Sequence, residues 1–107
     1  MKIPFAVLLS LTLATAAQAA DSAAEVWTAK CKSCHGGDGK AKTKIGEKEK
    51  ITDISDAGWQ ARHSDEKIRK VIAEGSPENS KMKAYKDKLT PEQIDALVVY
   101  VRGLKQG

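Results

Sequence analysis

The chain carries two thiols and an imidazole in five consecutive residues, Cys31-Lys32-Ser33-Cys34-His35. Two thiols about one helical turn apart can each add to a vinyl group of the same porphyrin. The imidazole of the next residue can then reach the iron from one face. C-x-x-C-H is the sequence signature of covalent c-type haem attachment. Two other chemistries use a cysteine pair of this kind. A thioredoxin-like dithiol belongs beside a βαβ pattern, and none is readable here. A structural zinc needs four ligands, and beyond this motif the chain offers only His63 and scattered carboxylates.

A haem iron has a second axial position, and Met82 is the candidate for it. It is the only methionine besides Met1 and sits in Lys81-Met82-Lys83, flanked by charge in a loop before a helix. A core methionine filling a gap would lie on an apolar stripe, and this one has none. A thioether opposite an imidazole favours ferrous iron and raises the potential. His63 is the competing ligand, placed at a junction of two expected helices where a surface or capping histidine is usual.

The elements that must position these groups are helical. Ser22 and Glu25 form an S-x-x-E capping box at the start of a first helix that runs into the motif, with Ala23 and Trp27 on one face. Gly36 to Lys50 reads as loop, punctuated by Gly36, Gly37, Gly39 and Gly46. Ser55 is expected to cap a short helix holding Trp59, and Asp56 suits its first turn. Ser64 caps the next helix, whose stripe is Ile68, Val71 and Ile72 and whose end is Gly75. Thr90, Pro91 and Gln93 open the last helix. Ile94, Leu97, Val98 and Val101 recur along it at i, i+3, i+4 and i+7. No stretch alternates with period two, so the fold class is all-α.

The N-terminus is expected to be a signal peptide. Lys2 precedes an apolar run from Ile3 to Ala14, and Ala17-Gln18-Ala19 has the small-x-small pattern of a cleavage site. The run is too short for a membrane span. Cleavage after Ala19, or after Ala20, makes residues 20–107 a single mature domain, periplasmic or otherwise exported. The whole chain has 18 basic and 14 acidic residues, a net +4. Loss of Lys2 lowers this to +3, and two ionised haem propionates would bring it near +1. The overall charge therefore selects no nucleic-acid partner, and any charge argument must be local.

The mature length resembles the small monohaem class I cytochromes c. An aromatic residue (Trp27) stands four positions before Cys31, a methionine precedes the last helix, and Leu97 and Tyr100 share a face of that helix. The resemblance implies a small single-domain fold around one covalently bound haem c. Its first and last helices cross, with Ala23 and Trp27 packed on Leu97 and Tyr100. It implies thioether bonds from Cys31 and Cys34 and axial iron ligands from His35 and Met82. Trp59 is then either a plain core tryptophan or an indole N–H directed at a propionate. Many relatives have a proline about a dozen residues after the motif, whose carbonyl accepts the proton of the ligand imidazole. No proline lies between His35 and Pro77; a carbonyl within Thr43 to Gly46 could serve instead, and the sequence does not locate it.

The function implied is one-electron transfer without enzymatic turnover, because two filled axial positions leave no site for substrate. The alternatives are a haem module dedicated to one redox complex and a gas-binding or peroxidatic protein. Partners are expected to be redox proteins with acidic surfaces facing Lys30, Lys32, Lys40, Lys42, Lys44, Lys81, Lys83, Lys86 and Lys88. The expected state is a monomer with no stable membrane insertion after cleavage.

A chain this short buries a modest core and commonly needs a staple, which a covalent haem supplies. A Cys31→Ser/Cys34→Ser protein is expected to lack a cooperative thermal transition by circular dichroism. A sharp transition would show that the polypeptide folds without the cross-link.

Overall fold

The computed structural model describes residues 23–105. The expected signal segment, its cleavage site and the Ser22 cap lie outside the described residues. The described chain is helical, with no strand.

The first helical run, α1, spans 23–35 and is not uniform. Its middle, Trp27–Cys31, is a π-helical turn, in which the Lys32 amide donates to the Trp27 carbonyl five residues back. Lys32–His35 then completes the run as α-helix. A π turn inserts one extra residue into a helical turn, and such turns occur mostly at functional sites. It changes the phase between the face bearing Ala23 and Trp27 and the face bearing Cys34 and His35.

The expected loop from Gly36 to Lys50 contains a short helix, α2 (Lys44–Lys48), capped by Thr43. The Thr43 hydroxyl accepts from the Gly46 amide at 2.8 Å and donates to the Cys34 carbonyl at 3.1 Å. α2 is therefore fastened to the end of α1 by its own cap.

α3 (Ala57–Arg62) is capped by Asp56 and not by Ser55, the Asp56 carboxylate accepting from the Trp59 amide at 2.9 Å. Ser55 is fully buried. Its hydroxyl donates to Asp53 at 2.6 Å and accepts from Lys40 Nζ at 3.3 Å. The Ser55 hydroxyl is the main reason that the Asp53 carboxyl is held below its ordinary pKa.

α4 (Asp65–Glu74) and α5 (Pro91–Arg102) begin at the caps read from sequence. Ser64 accepts from the Lys67 amide at 3.1 Å. Thr90 and Gln93 satisfy each other's amides at 3.1 and 2.9 Å. Ile94, Leu97, Val98 and Val101 of α5 are buried against Ile68, Ile72 and Ala73 of α4 and against Ala23 and Trp27 of α1. The terminal helices meet where the rings of Trp27 and Tyr100 lie 5.2 Å apart.

Arg102, in the last turn of α5, fastens the α3–α4 junction. Its Nη1 donates to the Gln60 carbonyl at 2.8 Å and to Gln60 Oε1 at 3.0 Å. Its Nη2 donates to the His63 carbonyl, and its Nε pairs with Asp65 at 2.7 Å. Buried Gln60 returns two bonds, to the carbonyls of Ile54 (2.8 Å) and Val101 (3.0 Å). Charged hydrogen bonds to otherwise unpaired carbonyls contribute more than neutral surface pairs. Arg102→Ala is expected to cost about 2 kcal/mol. In a domain of this size that lowers the thermal midpoint by roughly 8–16 °C, and Arg102→Lys recovers only part of it because one ammonium cannot span all these acceptors.

Candidate functional site

The helices enclose a cavity of about 950 Å³, at the upper end of the range of about 300–1,000 Å³ typical of ligand and cofactor clefts. Cys31, Cys34 and His35 line it from α1, and Met82 lines it from the segment between α4 and α5. Trp59 and His63 border it at the α3–α4 junction. Ile54, Ile68, Val71, Leu97 and Val101 supply apolar wall. The two candidate axial ligands, far apart in sequence, thus share one space with both thiols.

Both cysteines are free and half-buried. Burial, followed by the proximity of Cys34, pushes the Cys31 thiol up to about 11. Burial lowers the pKa of His35 and so favours the neutral imidazole, the form with a lone pair for a metal. His35 Nδ1 is buried without a hydrogen-bond partner, alone among the buried side-chain polar atoms described.

No carbonyl from Thr43 to Gly46 reaches that nitrogen. The loop instead serves the main chain of the motif. The Ala41 amide donates to the His35 carbonyl at 2.8 Å, and Thr43 takes the Cys34 carbonyl. The imidazole is held by packing, with its centroid 5.7 Å from the Trp27 ring.

His63 has the partner that His35 lacks, since its Nδ1 lies 2.8 Å from the Trp59 carbonyl. Its ring stacks on Trp59 with centroids 4.3 Å apart and planes 20° from parallel. Trp59 is half-buried, packs against the core and lines the cavity.

The Met82 segment is held by its backbone. The Ser76 amide donates to the Met82 carbonyl at 3.2 Å, and the Met82 amide donates to the Asn79 carbonyl at 3.0 Å. Gly75, at φ +88°, lies so close that a Cβ there would stand 3.0 Å from the Met82 carbonyl oxygen. Gly75 thus does more than end α4, because it lets the segment double back onto the helix.

The lysines are spread more widely than expected. Lys30, Lys81 and Lys83 border the cavity, joined by Lys50 and by Lys67 and Lys70 of α4. Glu49, Glu74 and Glu78 lie among them. Lys32 and Lys42 border a separate open hollow beside Thr28 and Asp38. Lys40 is turned toward Ser55 and Asp53, and Lys88 sits 5.9 Å over the Tyr85 ring. Lys44 and Lys86 are exposed and border neither space. Tyr85 was also missed, and its position three residues after Met82 in a chain with few aromatics was the available signal.

The family model described as cytochrome c oxidase, cbb3-type, subunit III matches residues 18–101. The chain belongs to the cytochrome c family. It is 34% identical over 98 residues to cytochrome c6 of Nostoc sp., covering 90% of this chain and 82% of that protein. It is also 34% identical over 89 residues to the cbb3-type cytochrome c oxidase subunit FixP of Azorhizobium caulinodans. That match covers 83% of this chain but only 28% of the subunit. A solved structure, the KustC0563 c-type cytochrome, is 45% identical with a TM-score of 0.71, over 78% of this chain and 98% of that one. A tyrosine-to-phenylalanine mutant of that cytochrome gives the same identity and a TM-score of 0.69, over 78% and 99%.

This cytochrome is therefore an electron carrier with the all-α class I fold, and its family binds haem c covalently. The residues present fit that group. A cavity with apolar wall residues and a charged rim brings two free thiols, a buried imidazole and a thioether together in one space.

The seat of the attachment motif depends on Gly46. A Cβ there would overlap the Ala41 carbonyl oxygen and stand 2.6 Å from the Cys34 carbonyl oxygen. These are backbone atoms, and overpacking of this kind costs about 1–3 kcal/mol. Gly46→Ala is expected to lower both the yield of haem-loaded protein and its thermal midpoint. Wild-type values for both would show that α2 does not need this close approach.

Proposed function

We propose that this cytochrome is an exported one-electron carrier in which Cys31 and Cys34 hold the haem by thioether bonds, with His35 and Met82 as axial iron ligands. The observation supporting this most directly is that His35, Met82 and both thiols line one cavity. The haem iron supplies the one-electron couple, and the chain's own residues tune it. Burial of His35 keeps its lone pair available. A thioether opposite an imidazole raises the potential relative to a second nitrogen ligand. With both donors engaged, no coordination position remains for substrate. This favours outer-sphere transfer at the cavity mouth and argues against enzymatic turnover.

Export is supported by the charged, apolar and small-x-small order of residues 1–19. Among the described residues, no helix is long and apolar enough to cross a membrane. The resemblance to part of FixP supports a second reading, in which the same fold serves as a haem module of a larger redox assembly. The resemblance to cytochrome c6 over most of that protein's length supports a free-standing carrier.

Lys30, Lys81 and Lys83, together with Lys50, Lys67 and Lys70, form the basic part of the cavity rim facing a redox partner. Electrostatic steering of this kind acts mainly on the on-rate. Electron transfer to an acidic partner is expected to slow as ionic strength rises. A flat salt response would remove the rim from the account.

Met82 ligation is tested by the near-infrared charge-transfer band of thioether-bound ferric haem. The band is expected in the wild type and in His63→Ala, and is expected to vanish in Met82→Ala. A wild-type ferric spectrum without the band, or a band that survives in Met82→Ala, would contradict Met82 ligation.

A further inference from the structure

The segment from Ser76 to Tyr85 carries Met82 across the cavity from α1, and its fastening is uneven. At its C-terminal end, the Tyr85 amide donates to the Ile72 carbonyl at 3.0 Å and the Lys86 amide to the Ala73 carbonyl at 3.1 Å. Both bonds tie it to the last turn of α4. Around Met82 the polar contacts are internal, with Ser76 and Asn79 serving the amides of Glu78, Asn79 and Lys81.

One hydrogen bond joins this segment to α1 among the described residues. The Tyr85 hydroxyl donates to the Lys30 carbonyl at 3.4 Å. That carbonyl belongs to the π turn, one residue before Cys31. The Tyr85 ring lines the cavity with Cys31 and Cys34. Burial raises the tyrosine pKa, and the hydroxyl stays protonated as a donor.

We propose that Tyr85 is a positioning residue for Met82, a latch whose hydroxyl closes the methionine segment against the attachment turn. This rests on Met82 being the sixth ligand. A plain wall aromatic would need only the ring, which phenylalanine supplies equally well. The hydroxyl adds a bond that must break when the segment swings out, so it opposes replacement of the thioether by an outside ligand. Its distance marks it as a weak bond, and its effect falls on a local opening and not on global unfolding.

The test uses the purified haem-loaded ferric protein and imidazole as the outside ligand. Binding is followed by loss of the thioether–iron charge-transfer band in wild type, Tyr85→Phe and Tyr85→Leu. Tyr85→Phe is expected to bind imidazole about twofold more tightly than wild type, the factor that corresponds to a weak hydrogen bond of about 0.5 kcal/mol. Its thermal midpoint should stay near that of the wild type, and Tyr85→Leu should bind imidazole more tightly still. Unchanged imidazole affinity in Tyr85→Phe overturns the latch, even if Tyr85→Leu binds more tightly, because the ring alone would then account for the effect. A fall in thermal midpoint without a change in imidazole affinity overturns it as well. If the wild type has no such band, the Met82 assignment fails first and takes the latch with it.

Discussion

Trp27 is the joint on which the arrangement depends. Its side chain is almost fully buried, and its indole N–H donates to the Gly36 carbonyl at 3.0 Å. One side of the ring system approaches the His35 imidazole, and Tyr100 of α5 also packs against it. A single side chain thus ties the end of the attachment motif to the C-terminal helix. Gly36 takes part because its φ of +80° turns the chain out of the helix at that point. An indole N–H buried without an acceptor would cost about 1–3 kcal/mol, so the orientation of the motif and the packing of the terminal helices are linked energetically.

The second half of the site is built on different principles. Cys31, Cys34 and His35 sit on a helix locked by Trp27, Thr43 and the close approach of Gly46. Met82 sits on an irregular segment held by backbone bonds to its neighbours and by Gly75. The rigid half suits a covalent attachment, which needs one presentation of two thiols. The looser half suits the role proposed for Met82 as the second iron ligand. Arg102 fixes the α3–α4 junction that carries Trp59 and His63 on the cavity wall.

What was legible in the sequence was local chemistry. Ser64 and Thr90 announce their helices because a cap and its partner amide lie within three residues. The apolar stripe of α5 has the right period, and all four of its residues are buried. Ala23, Trp27, Leu97 and Tyr100 join one core as the family resemblance implied. What was not legible depended on tertiary contact. Lys44–Lys48 is short, contains a glycine and forms because Thr43 is bonded to the Cys34 carbonyl. The π turn leaves no pattern in residue types. The Arg102 bonds join positions 37 to 42 residues apart, and no periodicity points to them. Ser55 was a reasonable cap by type, but its burial beneath Asp53 and Lys40 left Asp56 to take the role.

The lysines show the same division between composition and placement. Their number suggested a basic rim, yet only their positions in the fold distinguish Lys67 and Lys70, which border the cavity, from Lys40, which faces Asp53. His63 likewise has the hydrogen-bonded ring expected of a metal ligand, while the buried Nδ1 of His35 stands alone. The assignment of the iron's two sides is therefore the central claim. An optical redox titration of the haem-loaded protein, with carbon monoxide added at the reduced end, addresses it most directly. The expected result is one single-electron transition at positive potential, with a reduced spectrum that carbon monoxide leaves unchanged. A reduced form that binds carbon monoxide readily would mean an open sixth position, and would contradict it.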